Sequence, residues 1–597
     1  MKKLYPILIF VILFTVYALT AYPDLTYTDN GELASVATTL GIAHPTGYPL
    51  FTIISNLWTQ LPVSSSQIFE LNLLSSFLTA LSAYILFFTL RQLFGSKNDL
   101  FSFGATLAYG FGNIIWNQGL FLEVYSLHLV LINMIILVSI KTFYKLNLRY
   151  IIALVFLIGL SFGNHLTTVL ILPSFLYLLI STKSLKGKNI KLILTLIITF
   201  LIGISSYLYL PIVSSMDPLF NWGNVSRSFE KFMYHVQGKQ YQIWMFSDSE
   251  IFKKNLIDFF FMLPKEMNIL TVFIPFGIFG MLNKKKNIAI YLLLLCFANV
   301  IYASGYIIHD IESYFAIALL TLEIFALFGL YETLKNKSKY LPLIFLVPLL
   351  SLFINYQNNN HSDDKIVPEY IKLTIDPLPK NSIVISSQWD FWCSGFWYKQ
   401  QIESYRKDII LIEKELLRRT WYPAQLLKWY PELETCRKEV DDYLNILEDF
   451  ESGKDFNGNE IQIKYIKMLN SFVEKFENER NIYMSSDVMQ TEKQFALKHY
   501  KYPYGMLFQI LKPEKIFVNP NPNDFNTTIF KAMERINPNH IDEAIFETAA
   551  QNFSANAYYQ LSEKNTKLAY DFANKAIEID SNNLLGLKIL NSINTQK

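Results

Sequence analysis

Tyr27-Thr28-Asp29-Asn30-Gly31-Glu32, followed by His44-Pro45-Thr46-Gly47-Tyr48-Pro49-Leu50, comes directly after the first long apolar run of the chain. Asn30-Gly31 predicts a turn, with Glu32 entering a helix. Asp29 and Glu32 are spaced i,i+3, so in a helix they share a face. Two readings of the pair are open. Asp29 can cap the helix with Glu32 at its third position, as in a capping box. A carboxylate beside an acceptor hydroxyl can also serve as a general base. The two are compatible, because a cap holds a carboxylate in place. The second stretch is no helix interior: Pro45 and Pro49 fix two backbone angles and Gly47 permits a sharp turn. His44 can then meet a phosphate or satisfy backbone groups. Leu50-Phe51-Thr52-Ile53-Ile54 is amphipathic enough to lie at a membrane interface.

Working outward, the 597 residues are 52% hydrophobic and only 17% charged, against about a quarter charged in soluble domains. Long apolar runs fill residues 1–356, and 357–597 has the composition of a soluble part. Judged against the roughly 20 residues that cross a bilayer, eleven spans are expected: 4–21, 70–94, 99–117, 119–140, 150–163, 166–182, 190–212, 266–282, 288–307, 313–334 and 340–356. Met1-Lys2-Lys3 and the apolar run to Ala21 lack a clear small-x-small cleavage site, so an uncleaved first transmembrane helix is expected. Lys2, Lys3, Arg91, Lys97, Lys141, Lys145, Arg149, Lys183, Lys186, Lys188, Lys191, Lys284–Lys286, Lys335, Lys337 and Lys339 all fall on one side, which should be cytoplasmic. The opposite side then carries loops 22–69 and 213–265 and the C-terminal part. Abundant Lys, Asn and Ile fit a bacterial protein. The expected location is a bacterial inner membrane, with the N-terminus cytoplasmic and the C-terminal domain periplasmic.

This topology gathers polar residues on the outer face: Asp29, Glu32, His44, Asn117, Glu123, Asn164, His165, Asn221, Trp222, Arg227, Lys231, His235, Lys239, Tyr241, His309, Asp310 and Glu312. Ionisable groups near lipid are costly and tend to mark function. Glu123 and Asn164-His165 each read either as functional or as buried structural groups. The piece Phe229–Val236 is a candidate interfacial helix. Its neighbouring cations can hold a lipid phosphate, or they are solvated anchors beside an aromatic belt. A net charge of +2 with no basic arm gives nucleic-acid binding no support. No P-loop, dinucleotide-binding glycine motif, CxxC or HExxH occurs. No metal site is assigned: acid clusters could bind a divalent ion, but no spacing demands one.

Residues 357–520 read as an extracytoplasmic α/β domain. Strands are expected at 382–386 and 408–412, with helical or aromatic-rich loop between them, and further strands at 482–485 and 506–510. The tail 521–597 is helical, with the small-residue pattern of a tetratricopeptide-like unit. Cys393 and Cys436 can form a disulfide or remain buried thiols.

Asp29-Asn30-Gly31-Glu32 with His44–Leu50, then Glu123-Val124-Tyr125-Ser126-Leu127, Gly163-Asn164-His165-Leu166-Thr167 and Asn221-Trp222-Gly223, resemble the protein O-mannosyltransferase-like membrane family of the GT-C glycosyltransferase superfamily. The resemblance covers most of residues 1–330. Thr46 stands where the family motif usually has a second proline. The resemblance implies a GT-C-like polytopic fold and an inverting, lipid-phosphate-sugar-dependent transferase. Mannose or another hexose would pass from a polyprenyl-phosphate-linked donor to a hydroxyl, such as Ser/Thr of exported proteins. It implies that Asp29, the first-loop acid, is the base, with Glu32 beside it. His44, Tyr48, Glu123, Asn164, His165 and Trp222 would shape the substrate pocket, and Arg227, Lys231 or Lys239 would neutralise the phosphate. The alternatives are a transporter or flippase for lipid-linked sugars, which calls for mid-membrane charges or broken helices in matching halves, and a non-catalytic scaffold recruiting partners through its helical tail.

Overall fold

The computed structural model describes residues 4–61, 63–184, 190–308, 311–528, 530 and 539–595. Lys2, Lys3, Lys186, Lys188, His309 and Asp310 lie outside these residues, as does 531–538 near the start of the helical tail. Packing divides the chain into two compact units. The first is Met1–Pro23, Val36–Leu219 and Val225–Ser362; the second is Asp24–Ser35, Phe220–Asn224 and Asp363–Lys597.

The first unit makes this an integral membrane protein. Among the described residues, seven helices are long and apolar enough to cross a bilayer: Gln67–Phe94, Val124–Tyr144, Ile190–Ser215, Ser249–Lys284, Lys286–Ser304, Ile311–Leu334 and Lys339–Asn359. Tyr5–Thr20, Leu148–Phe162 and Leu166–Ser181 are shorter apolar helices. The span expected at 99–117 is instead broken. Helix Asp99–Gly110 ends at Phe111-Gly112, and a short helix runs Asn113–Asn117. The cause is the Glu266 carboxylate, whose Oε2 accepts from the Ile114 N–H at 2.5 Å and Oε1 from Ile115 at 3.3 Å. A carboxylate is favoured at a helix N-terminus, and this one restarts the helix where apolar length alone predicts continuity. A β-carbon on Gly112 would come within 2.9 Å of the Glu266 carboxyl carbon, so only glycine leaves it room.

Helix Ile311–Leu334 is buried almost throughout, whereas Ile190–Ser215 leaves most of its apolar side chains exposed, as a lipid-facing helix must. Hydrophobicity gives little drive for helix pairing in lipid, so close approach of small residues takes over. Gly159 and Gly203 face each other: a β-carbon on Gly203 would lie 2.5 Å from the Phe156 carbonyl oxygen and 3.0 Å from the Gly159 Cα. Gly277 and Gly329 form a second crossing, where a β-carbon on Gly329 would lie 2.7 Å from the Gly277 nitrogen.

The second unit is built on a five-stranded sheet of order β2-β1-β3-β5-β4. Its strands are β1 (Ile383–Ser386), β2 (Ile410–Glu413), β3 (Ile482–Met484), β4 (Tyr500–Tyr504) and β5 (Leu507–Leu511). β1 pairs in parallel with β2 (Ile383 opposite Ile410) and with β3 (Ile383 opposite Ile482). These three strands are buried at every position, the mark of parallel strands covered on both faces. β5 runs antiparallel to β3 and β4. The strand β4 was not expected from sequence, because Pro503 argues against a central strand; it lies at the sheet edge, where proline is tolerated. Helices His540–Ser562, Thr566–Ile579 and Leu584–Thr595 follow, the first two joined by the stacked rings of Phe553 and Phe572 at 6.3 Å. Cys393 and Cys436 are buried free thiols.

The Asp24–Ser35 and Phe220–Asn224 segments follow apolar helices in sequence, yet they pack within the α/β unit.

Candidate active site

Each unit holds a cluster of the residues singled out from sequence. In the second unit, helix Asn30–Thr39 begins immediately after Asp29. Gly31 lies against the chain at Ser394-Gly395; a β-carbon there would fall 2.5 Å from the Ser394 carbonyl oxygen and 2.6 Å from the Gly395 nitrogen. Ser394 Oγ accepts the Glu32 N–H at 2.9 Å. In a capping box the Asp29 side chain would take that N–H, so a residue far along the chain contributes to this helix terminus. Asp29 Oδ1 accepts from Trp389 Nε1 at 2.8 Å, and the Thr28 N–H donates to the Asp390 carbonyl at 3.0 Å. Asp29 keeps partial exposure while Glu32 is fully buried.

Trp389 is clamped in turn. Its ring meets Trp222 edge-on at 5.6 Å and Trp397 at 5.4 Å. Trp222 packs on Trp421 at 4.6 Å, and the Asn221 N–H donates to Gln425 at 3.1 Å. The 220–224 segment therefore buttresses the tryptophan that holds Asp29. Gly31→Ala is expected to push the helix off Ser394 and misalign Asp29. It should lower any activity that depends on Asp29 by at least about tenfold, since misplacement by around 1 Å costs up to about a hundredfold. Unchanged turnover in this variant would show that the Gly31 contact is irrelevant to the site.

In the first unit, Tyr48 joins two histidines. Its hydroxyl lies 3.1 Å from His44 Nε2, and its ring stacks on His165 at 6.0 Å and 6°. His165 also contacts Tyr125 and His128, each at 5.3 Å, and Tyr314 at 5.8 Å. The Thr167 N–H donates to His165 Nδ1 at 3.3 Å, so the neutral ring carries its proton on Nε2. Burial, reinforced by His128 and His44, holds His165 well below the usual imidazole range. The Leu50 N–H donates to the Gly163 carbonyl at 2.9 Å, and Asn164 Nδ2 to the Val124 carbonyl at 3.1 Å. These bonds tie the proline-rich turn, the 163–165 turn and the start of helix Val124–Tyr144 together. Glu123 caps that helix, its Oε1 accepting the Val124 N–H at 3.1 Å.

The expected interfacial helix is present as Phe229–Val236, capped by Ser228. His235 is buried against the turn, its Nε2 3.2 Å from a β-carbon position on Gly47; burial lowers its pKa to about 3, so it is neutral. Lys231 is buried, Arg227 is exposed, and exposed Lys239 sits over the Tyr234 ring at 5.6 Å. Trp389, Ser394 and Trp397 were not singled out from sequence. The only sequence signal for Ser394 and Trp397 was the aromatic richness of 391–406, and no local pattern couples residue 389 to residue 29. His128 and Tyr314 were missed because both read as ordinary apolar-segment residues.

Residues 29–188 match the family "Protein O-mannosyl-transferase TMEM260 N-terminal domain". This stretch of the chain resembles a TMEM260 N-terminal domain. The TMEM260 match contains Asp29, Glu32, His44, Tyr48, Glu123, Asn164 and His165, while Trp222, Arg227, Lys231 and Lys239 lie beyond it. The mouse protein O-mannosyl-transferase TMEM260 (Mus musculus) is 25% identical over 455 residues, covering 70% of this chain and 63% of the relative. The Dictyostelium discoideum tmem260 protein is 22% identical over 582 residues, covering 87% and 67%. The chain thus spans less than two thirds of the mouse relative's length. Among solved structures, ArnT from Cupriavidus metallidurans bound to undecaprenyl phosphate superposes with a TM-score of 0.51 at 9% identity, covering 84% of this chain and 97% of that one. Its apo form gives 0.52 at 10% identity. The fold is therefore like that of ArnT.

Proposed function

We propose that the protein transfers a hexose, mannose foremost, from a polyprenyl-phosphate-linked donor to the hydroxyl of an acceptor, with Ser/Thr of exported proteins as the acceptor class. The observation that carries this reading is the Asp29 carboxylate: partly exposed, at a helix start, oriented by Trp389 Nε1 at 2.8 Å, and inside the stretch that matches the TMEM260 N-terminal domain. Asp29 takes the acceptor proton. The hydroxyl oxygen attacks the anomeric carbon, the bond to the phosphate oxygen breaks, and the lipid phosphate leaves with inversion. Glu32 flanks the base. His44, Tyr48, Glu123, Asn164, His165 and Trp222 are assigned to shaping and binding, and Arg227, Lys231 and Lys239 to the phosphate charge. The names of the mouse and Dictyostelium relatives support the sugar and the acceptor; the lipid bound to ArnT supports the donor. The positive-inside charge pattern supports an extracytoplasmic α/β unit.

Mass spectrometry of exported glycoproteins and lipid-linked sugars, from cells with and without the protein, tests the reading. Loss of hexose from Ser/Thr peptides with accumulation of the lipid-linked hexose is expected. Unchanged profiles of both would overturn it.

A further inference from the structure

The sheet order contains a reversal. From β1 the chain passes to β2 on one side, then to β3 on the other. In open α/β sheets, ligands bind in the crevice outside the carboxyl ends of the strands at such a point. Here the segments leaving β1 and β3, joined by helix His540–Ser562, line a cavity of about 340 Å³. That volume falls at the small end of the roughly 300–1,000 Å³ of small-molecule sites.

The lining chooses the chemistry. Asp390 and Asp487 are its charged residues, and no Lys, Arg or His lines it among the described residues, which disfavours a phosphate. Asp487 and Gln490 stand i,i+3 on helix Ser486–Thr491, and Thr548 and Gln551 stand i,i+3 on helix His540–Ser562, so each helix presents a pair. Glutamine offers both donor and acceptor, and threonine does the same. Asp487 Oδ2 accepts the Ser387 N–H at 3.2 Å; its Oδ1 is shielded from solvent and accepts no hydrogen bond among the described residues. A buried acceptor of this kind calls for a donor, which a ligand hydroxyl supplies. Trp389 and Phe391 add aromatic surface, and the Trp389 ring is fixed by Trp222 and Trp397. Two carboxylates and neutral hydroxyl-binding groups beside a rigid aromatic ring, with no cation among them, fit one ligand class. We infer that this crevice binds the pyranose ring of a neutral hexose. Trp389 lines the cavity and also holds Asp29, so the subsite adjoins the proposed base. The inference rests on the glycosyl-transfer reading for the origin of that hexose, which is either the donor's sugar or a sugar already on the acceptor.

The test uses the full chain in lipid nanodiscs, with methyl α-D-mannopyranoside as probe and saturation-transfer NMR as readout. Gln490→Ala/Gln551→Ala removes two exposed side chains and should preserve the fold. Ring-proton saturation is expected for the unmodified protein. Binding should weaken about tenfold in the double variant, as for one to two lost neutral hydrogen bonds. No saturation in the unmodified protein, or equal saturation in both, would overturn the inference. In transfer assays, a raised KM for the lipid-linked donor assigns the subsite to the donor sugar, and a raised KM for a glycosylated acceptor assigns it to the acceptor. Asp29→Asn separates the two readings: saturation should persist while transfer is lost. Should that variant still transfer, the base assignment fails, and the NMR result alone decides hexose binding.

Discussion

Asp29→Asn should leave the protein folded and inserted while glycosyl transfer falls by about 10²–10⁴-fold, the usual contribution of a positioned general base. Asparagine keeps the shape of the side chain and retains an oxygen for the Trp389 Nε1 donor at 2.8 Å. It removes the proton acceptor alone. Thermal stability measured beside transfer should therefore stay within about 1 kcal/mol, the scale of one hydrogen bond, while turnover collapses. Glu32→Gln is the companion measurement. Glu32 is fully buried and its N–H is held by Ser394, so its loss should affect stability as well as rate. Full activity in the Asp29 variant would remove the base from the mechanism.

The second large effect belongs to the membrane helices. A β-carbon on Gly277 lands on the Phe325 carbonyl oxygen and 2.5 Å from its carbonyl carbon. The obstacle is backbone, so no rotamer change relieves it. Gly277→Ala must separate helices Ile274–Lys284 and Ala316–Leu334, and Ala316–Leu334 is buried along most of its length. A loss of about 3 kcal/mol, the upper end for overpacking, is expected. Gly280 on the same helix is the control: its β-carbon would meet Phe328 at 3.6 Å, an ordinary contact. Gly280→Ala should be neutral or slightly stabilising, because alanine is the better helix former. Melting in nanodiscs decides it: equal transitions for the two variants would show that the glycine crossing does not hold the helices together.

Much of this architecture was legible in the chain. Apolar length located helices at ten of the eleven expected spans, because crossing a bilayer is a requirement on local composition; seven helices among the described residues are long enough to cross, and the one expected at 266–282 begins at Ser249. The span at 99–117 failed because its interruption is made by Glu266, more than 140 residues away, and a carboxylate cap leaves no trace in hydropathy. Short, continuous apolar runs located β1, β2, β3 and β5, while the edge strand β4 carries Pro503 and an exposed, polar start. At the site, His44-Pro45-Thr46-Gly47-Tyr48 and Gly163-Asn164-His165 read as turns carrying candidate residues, and the structure joins them through the Tyr48–His165 stack. His128 and Tyr314 were unreadable because their partners come from separate helices.

The sequence by itself determined the membrane-spanning character, the α/β part, the Asp29–Glu32 pair and the histidine turns. Each of these is written in composition, periodicity or spacing over a few residues. Only the tertiary structure decided that Asp24–Ser35 and Phe220–Asn224 leave the helical unit and pack into the α/β unit. It also decided that Ser394 caps Glu32 and that Trp389, 360 residues from Asp29, orients its carboxylate. The reason is physical. These are side-chain contacts between segments that meet only when the sheet forms, and no local pattern encodes which distant indole will reach a given carboxylate.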